Sequence, residues 1–399
     1  MSEDSVTSGP LSGIVVADFS RVLAGPLASM FLADLGATVI KVEHPDIGDE
    51  TRQWGPPFVG EMTTYFASVN RNKRSVGLNL SDSHDLELAR LLANRADVFI
   101  ENFMPGKLKN FGLDPESIWE TNPKLIYCSI SGFGSEVGSH LAGYDFVVQA
   151  VGGLMSITGT PSDGPTKVGV AIVDVVTGLH AAIGILAALR ERDQSGRGQL
   201  VEVNLLSSLL SSLVNQASAF VNGAGTPQAM GNRHPSIAPY ETLRARDAPL
   251  AIAAANDRQF KSLLAVLGLT NLSSDERFIT NAARVQNRDA LVTRLEEVLN
   301  TDTAESWAIK LQAANVPCGP INDLNSAMNL AARLGLDPII SHSSSVGDHL
   351  VDTVANPLRL SRTPVSYYRA PPTLGQDSVE VLEWLTTDDS LAGPRFLSH

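Results

Sequence analysis

The 399-residue chain is longer than one hydrophobic core usually serves, which points to two domains. A content of 43% hydrophobic and 18% charged residues is that of an ordinary globular protein and excludes wholesale disorder, collagen-like repeats and a disulfide scaffold. The net charge of -13 has the wrong sign for neutralising phosphates along a nucleic acid or an anionic membrane, although a local basic pocket for a small anion is compatible with it.

Ile14 to Phe19 is a short apolar, β-rich run. A Gly25-Pro26 break leads into a helical stretch through Leu35, then Gly36 and a second strand, Thr38 to Glu43. The pattern recurs, with a helix from His84 to Asn94 before a strand from Asp97 to Glu101, and one from Pro115 to Glu120 before a strand from Lys124 to Ile130. Near-continuous apolar strands alternating with helices predict an α/β fold: a doubly wound parallel sheet, which binds ligands beyond the carboxyl ends of its strands. Val168 to Leu189 approaches membrane-spanning length but contains Asp174 and His180, and the charged run Arg190 to Asp193 follows it. An aspartate near a bilayer centre costs roughly 2.5–3.5 kcal/mol, so the stretch is expected to be a buried helix, with no membrane partner. Within it, Val168 to Val173 is strand-like and the helix is expected from Val175.

The turn Ser195 to Gln199 feeds a strand from Leu200 to Val203, and Leu205 to Val221 reads as one helix. Ala224 to Pro239, rich in Gly, Pro, Asn and His, reads as a linker or a functional loop. Strands Tyr240 to Arg244 and Leu250 to Ala255 flank a turn, and Asp257 is expected to cap the next helix. The predicted division is a large Rossmann-like domain over 1–205, a linker helix over 206–224, a small α+β domain over 225–325, and a return segment over 326–399 that completes the large domain.

Cys128 and Cys318 are the only cysteines and lack metal-ligand spacing, so a disulfide framework and a structural zinc site both lack material, and a reducing, cytoplasmic setting is expected. The polar, acidic start Met1-Ser2-Glu3-Asp4-Ser5 is unlike an export signal. Glu43 ends the second strand where an acid often grips a ribose. Ser20 to Pro26, however, holds one glycine and a proline and cannot form the G-x-G-x-x-G cradle of a dinucleotide site. Walker A, H-E-x-x-H, EF-hand and G-x-S-x-G sequences are also absent.

Basic residues cluster as Arg71, Lys73 and Arg74, and again as Lys107 and Lys109 after Glu101-Asn102-Phe103-Met104-Pro105-Gly106. Each cluster is either a phosphate-binding rim or a solvated charged turn. Asp174, between an apolar run and a helix, is an N-cap, a carboxylate desolvated for chemistry, or both. His180 is off its face and reads as a packed histidine.

The order and spacing of many short motifs are highly specific. Val16-Ala17-Asp18-Phe19-Ser20 is followed by Ala24-Gly25-Pro26, Gly36 to Glu43, Asn72-Lys73-Arg74-Ser75, and Glu101-Asn102-Phe103 with Pro105-Gly106. Then come Ala142-Gly143-Tyr144-Asp145, Thr160-Pro161, Val173-Asp174 with Thr177-Gly178, Gly196 to Gln199, Val316 to Ile321, and Ala370 to Gly375. Across nearly its whole length the chain resembles the class III CoA-transferases, the formyl-CoA and carnitine CoA-transferase group. That group includes succinyl-CoA-dependent dicarboxylate transferases and α-methylacyl-CoA racemases.

The resemblance implies that Asp174 is a nucleophile toward a CoA thioester, working through an anhydride and an aspartyl-CoA thioester with neither a metal nor a tightly bound cofactor. Donors for the tetrahedral oxyanions are expected near Gly178 or on a glycine-bearing loop. It places CoA against Leu23, Ala24, His44, Leu78, Asn79, Asn102, Phe103 and the Lys107–Asn110 turn. His44 and Asn110 stand where arginines are frequent, so the phosphates are expected to fall to Lys73, Arg74, Lys107 or Lys109. Racemases carry Gly-His-Asp where this chain has Gly143-Tyr144-Asp145, and a tyrosine with pKa about 10 is a poor racemisation base. Tyr144 and Asp145 are therefore expected to line a transferase site.

Gly231 to Ser236 resembles the dicarboxylate-specific branch, with Arg233 suited to a bidentate pair with a distal carboxylate and His234 beside it. The implied partners are an acyl-CoA donor, such as succinyl-CoA, and a carboxylic, preferably dicarboxylic, acceptor. The resemblance further implies an interlocked homodimer. An acyl-CoA epimerase and a CoA-ester binding protein without turnover are the alternative readings.

Overall fold

The computed structural model describes residues 9–343 and 350–387. Six strands form one sheet: β1 (Val15–Asp18), β2 (Thr38–Glu43), β3 (Lys73–Gly77), β4 (Val98–Glu101), β5 (Ile126–Ser131) and β6 (Leu200–Asn204). All neighbours are parallel, in the order β3-β2-β1-β4-β5-β6. This is the doubly wound arrangement, and its strand order reverses between β1 and β4. A crevice beyond their carboxyl ends is therefore the expected ligand site.

The helices used below are α1 (Ala24–Asp34), α2 (Ser83–Arg95), α3 (Asp145–Val151), α4 (Ile172–Ser195), α5 (Leu205–Ser212) and α6 (Val214–Val221). Alternate residues of each strand enter opposite cores, as the pleat requires. Val16, Val39, Val98, Ile100 and Ile126 pack with α1 and α4, while Val15, Ala17, Ile40, Phe99 and Tyr127 pack with α2. Stacked rings of Phe19, Phe99 and Tyr127, with centroids 4.6 and 4.9 Å apart, run across the second face.

Several elements differ from expectation. The Asn70–Ser75 segment leads into β3, and its basic residues are buried rather than solvated. Arg71 is fully buried and forms a two-bond pair with Asp34 at 2.6 and 3.0 Å, while also donating to the Val354 carbonyl. Asn72 bonds through both backbone and side chain to Ser366, Tyr368 and Arg369, so this stretch clasps the chain's return segment. Val168 to Ala171 is a bent strap rather than a strand, with the Ile172 N–H turning back to the Val170 carbonyl, and α4 starts at Ile172. The single helix expected over Leu205 to Val221 is two, broken at Val214, whose φ is 38°. Asn256, rather than Asp257, caps the following helix by accepting the Gln259 N–H.

The chain forms two compact units. One contains the described residues up to Leu154, Val168–Gly225, and those from Asp337 onward; the other contains Met155–Lys167 and Thr226–Leu336. Compared with the sequence-based division, the smaller unit also takes in Met155–Lys167. There, the Gly231 N–H donates to the Gly159 carbonyl, and the helix Leu324–Arg333 extends the unit past residue 325. Its own sheet is antiparallel, with β7 (Tyr240–Arg244), β8 (Pro249–Ala253) and β9 (Cys318–Pro320) in the order β9-β8-β7. Leu243, Leu250, Ile252, Phe260, Leu295 and Trp307 are in its core.

Candidate active site

The site begins with the turn that joins β1 to α1. Asn102, just past β4, accepts the Arg21 N–H at 2.9 Å and donates to the Arg21 carbonyl at 2.7 Å, which joins the two strand ends at the switch point. The next residue, Val22, has φ 70°, a costly conformation for a β-branched side chain. It is held there by Asp49, which accepts the Val22 N–H at 3.2 Å and pairs with the buried Lys41 at 2.9 Å. Burial opposes the charge on Asp49, but Lys41 and the Thr51 donors outweigh it and hold the carboxyl at about 2. The chain then enters α1 at Ala24 with no side chain capping it.

Gly178 brings α4 against this helix start. A Cβ there would lie 2.6 Å from the Ala24 carbonyl oxygen, so only glycine permits the approach. Gly178 thus lies inside α4 as a packing residue, and its N–H is not a helix-start oxyanion donor as expected. Asp174, one turn earlier on the same helix face, lines a cavity of about 230 Å³ together with Leu23, Ala24, Asn102, Phe103, Lys107 and Tyr144. A second cavity of about 260 Å³ is lined by His44, Leu78, Asn79 and Phe111. Arg21, Phe103 and Lys107 line both cavities. A long ligand with a reactive end at Asp174 and a bulky group near His44 would pass these three side chains.

Asp174 is half-buried, and burial followed by the negative charge of Asp145 raises its carboxyl to about 7. Asp145 is the first residue of α3; its Oδ1 accepts the Val173 N–H at 2.8 Å and its Oδ2 accepts from Gln149 at 2.7 Å. Tyr144 precedes it at the N-cap, with its ring exposed at the cavity. Tyr65 also faces this carboxylate pair: burial, then the charges of Asp174, Asp145 and Asp49, push its phenol up to about 12. Sequence reading missed Tyr65, Gln149 and Arg21. Only Arg21, a charged residue in the first strand-to-helix crossover, gave a usable signal.

The other expected site residues are placed differently. Lys73 is wholly buried and donates to Asp18 at 3.1 Å, to the Pro26 carbonyl at 2.8 Å and to Asn70 at 2.9 Å, so it is no phosphate ligand. Arg74 is buried too, in ion pairs with Asp377 and Glu380. Both are corrections to the expected phosphate rim, because a sheet interior cannot leave such cations without carboxylate partners. Lys109 is exposed and outside both linings. Glu43, the candidate ribose acid, is occupied by Arg52 at 2.7 Å on each oxygen. Arg233 and His234 belong to the smaller unit. There Arg233 pairs with Asp289 at 2.9 Å and Glu241 at 3.4 Å, and His234 Nδ1 accepts the Ser236 N–H. Among the described residues, no group of three or more His, Cys, Asp or Glu is arranged to hold a metal ion.

Comparison with known sequences decides the family, since the sequence model of CoA-transferase family III matches residues 11–378. The chain belongs to that family. This CoA-transferase is 40% identical to human succinyl-CoA:glutarate CoA-transferase over 393 residues, covering 96% of this chain and 88% of the relative. It is 41% identical to the succinate–glutarate CoA-transferase of Agrobacterium fabrum, over 96% of this chain and 98% of that one. Among solved structures, a CAIB/BAIF family protein from Brucella suis superposes with TM-score 0.84 at 40% identity, over 95% of the transferase and all of that chain.

Proposed function

We propose that this CoA-transferase moves CoA from succinyl-CoA to a dicarboxylic acid of about glutarate's length, using Asp174 as nucleophile. The observation that carries the reading is a carboxylate raised to about 7, set in a cavity that shares three lining residues with a second cavity of about 260 Å³. The names of the relatives supply the acids.

An Asp174 oxygen attacks the thioester carbonyl carbon; the carbon–sulfur bond breaks, giving a mixed anhydride and CoA thiolate. The thiolate then attacks the aspartyl carbonyl, and the donor acid leaves as a carboxylate carrying one former Asp174 oxygen. The acceptor carboxylate runs the two steps in reverse and leaves as the new thioester. A raised pKa makes Asp174 a stronger nucleophile once it is ionised, and a half-buried cavity protects the anhydride from water. Leu23, Ala24 and Tyr144 line the acyl end, while His44, Leu78 and Asn79 line the nucleotide end, with Lys107 at the junction for a phosphate. Arg233 and His234 are the family-derived candidates for the acceptor's far carboxylate.

Mass-spectrometric assay of succinyl-CoA against an acid panel tests this reading. Glutarate and its near homologues are expected to yield their CoA esters fastest. Equal transfer to monocarboxylates would overturn the dicarboxylate assignment.

The proposal includes the homodimer. On α4, Leu179, Ile183 and Leu186 share one face at helical spacing and are 38%, 63% and 36% exposed. Phe146, Val147 and Val151 on α3 are exposed as well. A second copy of the chain, interlocked as the family resemblance implies, would cover this apolar surface. Sedimentation is expected to give a dimer for the native chain, and Ile183→Glu to lower the yield of folded dimer; a native monomer would contradict this. Free Cys128 and Cys318 are compatible with the proposed cytoplasmic setting.

A further inference from the structure

We propose that Gln149 is a positioning residue for the transfer reaction, holding the nucleophile through Asp145 and the strap that leads into α4. This rests on Asp174 being the nucleophile. Gln149 lies one turn after Asp145 on α3 and is completely buried. Its Nε2 donates to Asp145 Oδ2 at 2.7 Å and to the Val170 carbonyl at 3.4 Å, and its Oε1 accepts the Val168 N–H at 2.9 Å. The amide orientation is unambiguous, because a flipped side chain would oppose oxygen to carboxylate and N–H to N–H.

Asp145 then uses its remaining oxygen on the Val173 N–H, one of the donors left without an intrahelical partner at the start of α4. α4 has no side-chain cap of its own, since Ala171 occupies the N-cap. Two side chains from α3 thus fix the strap at Val168, Val170 and Val173, the last adjacent to Asp174. Three of these four bonds hold a backbone group of the segment entering α4, so removing Gln149 loosens the strap at Val168 and Val170 and takes one donor from Asp145 together.

The arrangement also has an electrostatic consequence. Both oxygens of Asp145 accept hydrogen bonds, the pattern of an ionised carboxylate. Burial and that neighbouring charge are what raise Asp174; Tyr65 also faces the pair, and Arg21, Glu50, Lys107 and Tyr144 line the cavity with Asp174. A group that positions Asp145 therefore affects the ionisation of Asp174 as well as its location.

The test is the rate of enzyme acylation by succinyl-CoA as a function of pH, read by trapping the aspartyl thioester with hydroxylamine and mapping the modified peptide. Gln149→Met, similar in size but unable to bond, is expected to lower the acylation rate constant about 10- to 100-fold, with the succinyl-CoA concentration for half-saturation within about twofold. Gln149→Glu keeps the acceptor for Val168. It donates to Asp145 only while protonated, so its pH midpoint is expected above that of the native enzyme, because a second carboxylate adds like charge. A purely structural role would lower the melting temperature without moving that midpoint. Native acylation in Gln149→Met, or a Gln149→Glu profile that superimposes on the native one, would overturn the proposal. Should Gln149→Met not fold, the Gln149→Glu profile alone decides. Absence of trapping at Asp174 in the native enzyme would instead refute the nucleophile itself.

Discussion

Asp174→Asn is expected to lose transfer by on the order of 10⁴-fold or more while binding acyl-CoA within a few-fold of the native enzyme. A carboxamide is the same size as the carboxylate but does not open a thioester, and among the described residues the only other carboxylate lining the cavity is Glu50, which is paired with Arg21 at 3.3 Å. The native acylation rate is expected to rise with pH through about 7, because protonated Asp174 is not a nucleophile. The same shift has a stability consequence. Burial and the Asp145 charge raise the folded-state pKa above the unfolded one. Stability linked to this group is therefore complete below about 4 and declines as pH rises through about 7. Asp174→Asn should then be more stable than the native enzyme at pH about 8, by at most about 4 kcal/mol. Urea unfolding at two pH values checks this, and an unchanged difference across the window would contradict the raised pKa.

Lys73→Met is expected to cost about 3–5 kcal/mol of stability and to leave the affinity for acyl-CoA unchanged in whatever fraction stays folded. Lys73 and its partner Asp18 have fully buried side chains, and Asp18 is shared with the hydroxyls of Ser20 and Ser29. Burial opposes ionisation of Asp18, but Lys73, Lys41 and the two hydroxyls together hold its carboxyl below the usual range. Methionine removes the nearest cation and, in the same step, the lysine donor to the Asn70 amide oxygen and to the Pro26 carbonyl, which keeps the Ser29 hydroxyl at 3.1 Å. Total domain stability is typically about 5–15 kcal/mol, so the loss is a large fraction of it. Removing the partner too, as in Asp18→Leu with Lys73→Met, should recover much of the loss, since an uncompensated charge is worse than none. The contrasting result is native stability with weakened acyl-CoA binding, which would return Lys73 to a phosphate-binding role.

These two residues show where the sequence is and is not informative. The alternating apolar strands around β1, β2, β4 and β5 predicted the parallel sheet and its ligand-binding edge, because burial on both faces leaves a continuous hydrophobic signature. β3 escaped notice because Arg71, Lys73 and Arg74 give the appearance of a solvated turn. Their burial depends on Asp34, Asp18, Asp377 and Glu380, which are dozens to hundreds of residues away in sequence. Asp174 was visible as a lone carboxylate among apolar residues. Asp145 was visible only through resemblance, and Gln149 not at all, since a glutamine one turn along a short helix carries no pattern until the strap is seen against it. Gly178 was noticed for the wrong reason: its lack of a side chain serves the contact with Ala24, not an oxyanion. Tyr65 lies on a five-residue helix with no periodicity to mark it.

Oxygen transfer tests the central claim most directly. If the acceptor acid is labelled with heavy oxygen in its carboxylate, its attack on the aspartyl thioester and departure as the new CoA ester must leave one labelled oxygen behind on the enzyme. The proteolytic peptide containing Asp174 is expected to gain that single oxygen after one turnover with succinyl-CoA and labelled glutarate, a second on repeated turnover, and none when either substrate is omitted. Turnover with no label at Asp174, or with label on another residue, would contradict a covalent role for this aspartate.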